Sequence, residues 1–188
     1  MEIQAQVLAI WKKIKNGYKI CALILLAMLI ILSLYSCSKT EIKPSAQQLM
    51  QISDIIRQKF NTKPDFWKLN TQWLITNDVL PKEWIDEDKV INNLGKEVVV
   101  GSGINGLLLM PGAKSFDVVY KDLNYNECVE LSSYQFQDKQ ILGLLAIKII
   151  NGEEEKRLDW GENGGLPLSK PNAEKICNKK NMIIWSFE

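Results

Sequence analysis

Histidine is absent from all 188 residues. That removes Ser-His-Asp and Cys-His nucleophile systems and every histidine-ligated metal centre. An excess of either charge is also missing. The 23 Lys and Arg residues stand against 22 Asp and Glu, interspersed along the chain, for a net charge of +1. A nucleic-acid binder needs a basic face, and this composition does not supply one. No internal repeat and no long low-complexity tract is visible. Carboxylate chemistry survives these exclusions. A glycan-cleaving enzyme would need two facing carboxylates, and Asp86, Glu87, Glu127 and Asp159 are available, but no spacing singles out a pair. The triplet Glu153-Glu154-Glu155 reads as a solvated turn, because one charge run lacks the ligand spacing of a cation site. The expectation is a protein that is not an enzyme and has no cofactor and no metal.

What the chain does have is an uncharged apolar run, residues 20–35 (ICALILLAMLIILSLY). Lys12, Lys13, Lys15 and Lys19 precede it, and Ser36-Cys37-Ser38-Lys39 follows. Three readings fit. The run can be a transmembrane helix, slightly shorter than the usual span of about 20 residues, with Lys19 snorkelling to the interface. The basic side then faces the cytoplasm. It can be the apolar core of a signal peptide. It can also be a lipoprotein signal, with Cys37 as the lipidated residue and Tyr35 bulky for its place. All three export the residues that follow.

The four cysteines are Cys21, Cys37, Cys128 and Cys177. Two lie in or beside the apolar run. The other two, in an exported domain, most simply form one disulfide; the alternative is two free, buried thiols. About 150 residues beyond the run make one ordinary domain.

Residues 45–60 (SAQQLMQISDIIRQKF) place Leu49, Ile52, Ile55, Ile56 and Phe60 at three- and four-residue steps, an amphipathic helix with Ser45 as N-cap after Pro44. Residues 65–77 suit a second helix through Phe66, Leu69, Trp73 and Leu74, and Pro81 suits a helix start. The tryptophans here read as packing anchors rather than ligand stackers. From residue 94 the pattern changes to strands: 97–100, 104–110, 115–120, 141–150 and 182–187, with a turn at 101–103 and another at Asn151-Gly152. In 115–120, Phe116, Val118 and Tyr120 alternate with Asp117 and Val119, as in a strand with one buried face. Short helices are expected at 125–134 and 171–177, and irregular chain at 158–171. The fold class is α+β, with the amphipathic helix covering an antiparallel sheet.

This arrangement resembles a type IVb pilin over nearly the whole chain. The leader KKIKNG ends at Gly17. WLITNDVLPKEWI (73–85), VINNLGKEVVV (90–100), FDVVYKDLNYNECVEL (116–131) and AEKICNKKNMIIWSF (173–187) are similar to the family's successive segments. The resemblance implies cleavage between Gly17 and Tyr18, a methylated Tyr18, and an organisation of basic leader 1–17, membrane helix 18–37, amphipathic helix and linker 38–64, and α+β head 65–188. It also implies the Cys128–Cys177 disulfide. The implied partners are other pilin subunits, the pilus assembly machinery and the inner membrane, with the N-terminus cytoplasmic and the head periplasmic or in an extracellular pilus. The family carries a glutamate at the fifth mature position, where this chain has Ala22, and Lys19 is unusual at the second. The implied function is a structural subunit of a type IVb pilus or related secretion machine, of minor or tip type. A lipoprotein anchored at Cys37, with a small binding head, is the alternative.

Overall fold

The last strand of the chain lies in the middle of the sheet. In the computed structural model the described residues are 42–63, 65–103, 113–135, 143–152, 154–160 and 165–188. They belong to one unit, Glu41–Glu188. The apolar run, Gly17, Tyr18, Ala22, Cys37 and the whole of the strand expected at 104–110 lie outside them. Among the described residues, no helix is long and apolar enough to cross a membrane.

The chain enters the unit through helix α1, residues 42–60. Its stripe of Ala46, Leu49, Ile52, Ile56 and Phe60 is at most 4% exposed. Pro44 and Ser45 both lie inside this helix. Ser45 is therefore not its N-cap. The proline φ is compatible with helix, and Ser45 is fully buried against the sheet.

The second helix is shorter than its apolar spacing suggests. α2 is Thr71–Thr76, and Asn70 caps it by accepting from the Trp73 N–H at 2.7 Å. Residues 65–69 form a turn instead of a helix, because Asn70 bridges to Gly101 and the Thr71 hydroxyl accepts from the Val100 N–H at 2.8 Å. Tertiary bonding to a strand edge outweighs local periodicity here. Phe66 and Trp73 still pack on the core, whereas Trp67 is 46% exposed. A 3-10 turn, Lys82–Trp84, starts directly after Pro81.

Among the described residues eight strands follow: β1 Ile85–Asp86, β2 Lys89–Ile91, β3 Glu97–Ser102, β4 Phe116–Leu123, β5 Leu144–Ile150, β6 Glu155–Trp160, β7 Gly165–Leu166 and β8 Asn181–Phe187. Helix α3, Tyr125–Ser132, follows β4, and helix α4, Lys170–Ile176, precedes β8. The sheet order is β1-β2-β3-β4-β8-β5-β6-β7, antiparallel except for the β6–β7 pair. Gly101 and Ser102 continue β3, so the turn begins only at Gly103, where φ is +91°. The stretch read as irregular from 158 holds the end of β6 and all of β7. Glu155 lies in β6 rather than in a turn, paired with Lys148 at 2.6 Å.

One row of cross-strand partners carries the core: Val100, Val118, Trp185, Ile147 and Leu158. β4 does not alternate as expected. All five residues Phe116–Tyr120 are buried, and Asp117 is 0% exposed. A strand between two neighbours whose second face is also buried reads as continuous burial. On that second face the charge of Asp117 acts on Arg157, whose guanidinium is held mainly by its hydrogen bonds to Asp159 and thereby kept firmly protonated.

Candidate functional site

A set of specific polar contacts surrounds the Cys128–Cys177 disulfide. The S–S distance is 2.01 Å, the Cα atoms are 5.9 Å apart, and the two cysteines have a sequence separation of 49. Each half is placed by local chemistry. Asn124 and Glu127 form a reciprocal capping box at the start of α3: the Glu127 N–H donates to Asn124 Oδ1 at 3.0 Å, and the Asn124 N–H donates to Glu127 Oε2 at 2.8 Å. This satisfies two orphan helix donors and sets Cys128 on the inward face, 0% exposed. Pro171 opens the first turn of α4, where its missing N–H costs nothing. The helix ends at Cys177, whose N–H donates to the Ala173 carbonyl at 2.9 Å.

Two asparagines then tie the second cysteine to the sheet. Asn151, at the β5–β6 turn, donates to the Ile176 carbonyl at 3.0 Å. Asn181, 2% exposed, donates to the Leu123 carbonyl at 3.2 Å and accepts from the Asn178 N–H at 2.7 Å. The disulfide therefore closes a segment that holds the C-terminal end of α3, β5, β6, β7 and α4, while β8 runs back through the centre. Between the end of α3 and β5–β7 lies an open cleft of about 310 Å³, lined by Tyr134, Leu144, Ile147, Trp160, Leu166 and others. The Trp160 indole N–H donates to the Leu144 carbonyl at 2.8 Å.

Exposed ion pairs frame this half of the unit. Lys170 pairs with Glu130, and Lys180 with Asp122 at 2.8 Å. Asp122 sits at a bulge of β4 with φ +54°. The Lys180 hydrogen bond, then its charge, holds the Asp122 carboxyl below its ordinary value and raises the Lys180 ammonium. A lowered carboxylate stabilises the fold above its unfolded pKa, and that contribution is lost as pH falls through the folded value. A raised lysine stabilises below its unfolded pKa, and that contribution is lost as pH rises through the folded value. Both groups are exposed, so the pair's effect is small and salt-sensitive. Stability from this pair is expected to be flat between about pH 5 and 9. In Lys180→Ala, an NMR titration should show the Asp122 midpoint rising toward 3.8. An unchanged midpoint would show that the pair does not form in solution.

The four carboxylates considered for catalysis include one widely separated pair. Asp86 and Asp159 lie on β1 and β6, with five strands between them. At about 4.8 Å per strand spacing that is roughly 29 Å, far beyond the ~9.5 Å limit for a glycosidase pair. Glu127 is engaged in its capping box and lies 4.0 Å from Lys96. Among the described residues, no group of three or more acidic or cysteine side chains is placed to hold a metal ion.

The capping box was readable as Asn-x-x-Glu at 124–127, directly before the helix it starts. Asn151 and Asn181 carry no sequence signal beyond turn propensity, because their partners lie 25 and 58 residues away.

No protein-family model matches this chain, and no curated protein matches it by sequence. Solved structures do match. TcpA, a type IV pilin from Vibrio cholerae El Tor biotype, aligns with a TM-score of 0.53 at 13% identity, covering 79% of this chain and 99% of that one. The type IVb pilin from Salmonella typhi aligns with a TM-score of 0.47 at 16% identity, covering 78% and 97%. The α+β fold described above is thus the fold of a type IV pilin.

Proposed function

We propose that this chain is a structural subunit of type IV pilin type, which assembles with other pilin subunits and performs no catalysis. The observation that carries the reading is a fold that spans 99% of the TcpA chain. In this reading residues 20–35 hold the subunit in the inner membrane, and the preceding lysines keep the N-terminus cytoplasmic. The head lies in the periplasm, where the disulfide can form, and later outside in a fibre. The partition into 1–17, 18–37, 38–64 and 65–188 follows the same reading.

Ala22 bears on which subunit this is. A glutamate in an apolar fibre core is costly unless a partner cation meets it, so it serves registration between neighbours. A chain with alanine there lacks that device. It suits a minor or tip subunit, or a secretion-machine pilin, better than the repeating subunit of a fibre. No nucleic acid and no cofactor enters the proposal.

The test is the intact mass and N-terminal sequence of the chain recovered from membranes. The expected result is a chain that starts at Tyr18 with a methylated amine. An acylated Cys37 at the N-terminus would overturn it and establish the lipoprotein reading, which the placement of Ser36-Cys37 directly after the apolar run already motivates.

A further inference from the structure

The buried stripe of α1 is not wholly apolar. Ser45, Gln48 and Ser53 are at most 1% exposed. Ser53 satisfies itself within the helix by donating to the Met50 carbonyl at 2.8 Å. Gln48 does not. Its amide nitrogen donates to the Ile91 carbonyl at 3.0 Å, and its Oε1 accepts from the Asn93 backbone N–H at 3.1 Å and the Asn93 side chain at 3.4 Å. One turn earlier, the Tyr120 hydroxyl donates to the Ser45 carbonyl at 2.9 Å. Burial pushes the Tyr120 phenol far above its ordinary pKa, so it stays a donor at any physiological pH.

The receiving ends are built to be rigid. The β2–β3 turn is closed on itself: Asn92 Oδ1 accepts from the Leu94 and Lys96 N–H groups at 2.9 and 3.0 Å. The Asn92 N–H donates to the Lys96 carbonyl at 2.9 Å, and Gly95 supplies the left-handed residue, φ +69°. Tyr120 sits on β4 in the interior of the sheet, its ring edge-on to Trp185 at 5.1 Å.

We infer that Gln48 and Tyr120 form a polar clamp that sets the axial register of α1 on the sheet. The apolar stripe sets it only in part. A slide of one turn, about 5.4 Å, lays Met50, Ile56 and Phe60 where Ala46, Ile52 and Ile56 stood, apolar on apolar, while Ser53 comes to the place of Leu49 and Arg57 to that of Ser53. Hydrophobic contact is non-directional and resists such a slide weakly. Hydrogen bonds from a buried amide are directional, and breaking them strands a desolvated polar group. A slide of four residues toward the N-terminal end puts Ile52 where Gln48 stood, and isoleucine has nothing to offer the Ile91 carbonyl. The clamp does not depend on assembly into a fibre.

Hydrogen exchange of the full chain in detergent micelles, read by mass spectrometry, tests the inference in Gln48→Leu, Tyr120→Phe and the double variant. Tyr120→Phe keeps the ring against Trp185 and removes only the hydroxyl, so it serves if Gln48→Leu does not fold. The expected result is that amides of residues 45–56 lose roughly tenfold or more of their protection relative to β4 and β8. Equal loss across α1 and the sheet would mean a uniform stability role and would overturn the clamp. Unchanged protection in the double variant would overturn it as well.

Discussion

Removing the disulfide through Cys128→Ala and Cys177→Ala lowers the stability of the head by about 4 kcal/mol. The figure comes from the 49-residue separation and the loop-closure entropy that the bond withholds from the unfolded chain. For a unit of this size it corresponds to a fall in melting temperature of roughly 8–16 °C. Alanine is the right replacement, because Cys128 is 0% exposed and a serine hydroxyl there would add the cost of a buried donor. The loss should also be uneven. Among the described residues, β6 is paired to the rest of the sheet through β5 and β7 through β6, and α4 is fastened by the disulfide, by α3 and by Asn151. Exchange protection should therefore fall first in α4, β6 and β7, with β3 and β4 following the global value. Urea titrations of wild type and the double variant check the magnitude. A difference under ~1 kcal/mol would mean that the unfolded chain is already constrained without the bond.

Trp185→Ala is expected to cost about 3–5 kcal/mol, as truncation of a fully buried large side chain does. Trp185 is 0% exposed and sits mid-row between Val118 and Ile147. It is also the edge-on partner of Tyr120, so its loss unsettles the residue that holds Ser45. Among the described residues, its buried indole N–H has no hydrogen-bond partner. Trp185→Phe therefore gives up volume but no hydrogen bond, and it should cost much less than the alanine change. Urea unfolding followed by far-UV circular dichroism separates the two variants. If phenylalanine proved as costly as alanine, packing volume would not be the source of the effect. Marginal domain stability is about 5–15 kcal/mol, so combining Trp185→Ala with loss of the disulfide should leave little folded protein.

Much of the fold was legible because the relevant forces are local. The three- and four-residue spacing in 45–60 found the core face of α1. Pro81 and Pro171 marked helix starts through their fixed φ, and Asn151-Gly152 marked a turn, with Gly152 at φ +95°. Other readings failed where a distant partner decided the matter. Phe66 and Leu69 have helical spacing, yet Asn70 and Thr71 answer to β3 and the helix starts later. Asp117 looked like the polar side of a half-exposed strand, yet it is buried. Gln48 is the instructive miss. It interrupts an apolar stripe, a visible anomaly, but its purpose depends on Ile91 and Asn93, more than 40 residues away.

By itself, the sequence determined what kinds of element this protein has and which of their faces are apolar, since periodicity, proline and glycine act over a few bonds. It also brought out the cysteine pair and, through the order of its segments, a pilin resemblance that the fold supports. Only the tertiary structure decided that the terminal strand Asn181–Phe187 takes the central place between β4 and β5, that both faces of β4 are buried, and that a glutamine sets the helix on the sheet. Those choices rest on hydrogen bonds and packing between residues tens of positions apart. The loop entropy of closing such contacts is repaid by the whole assembly and by no segment alone.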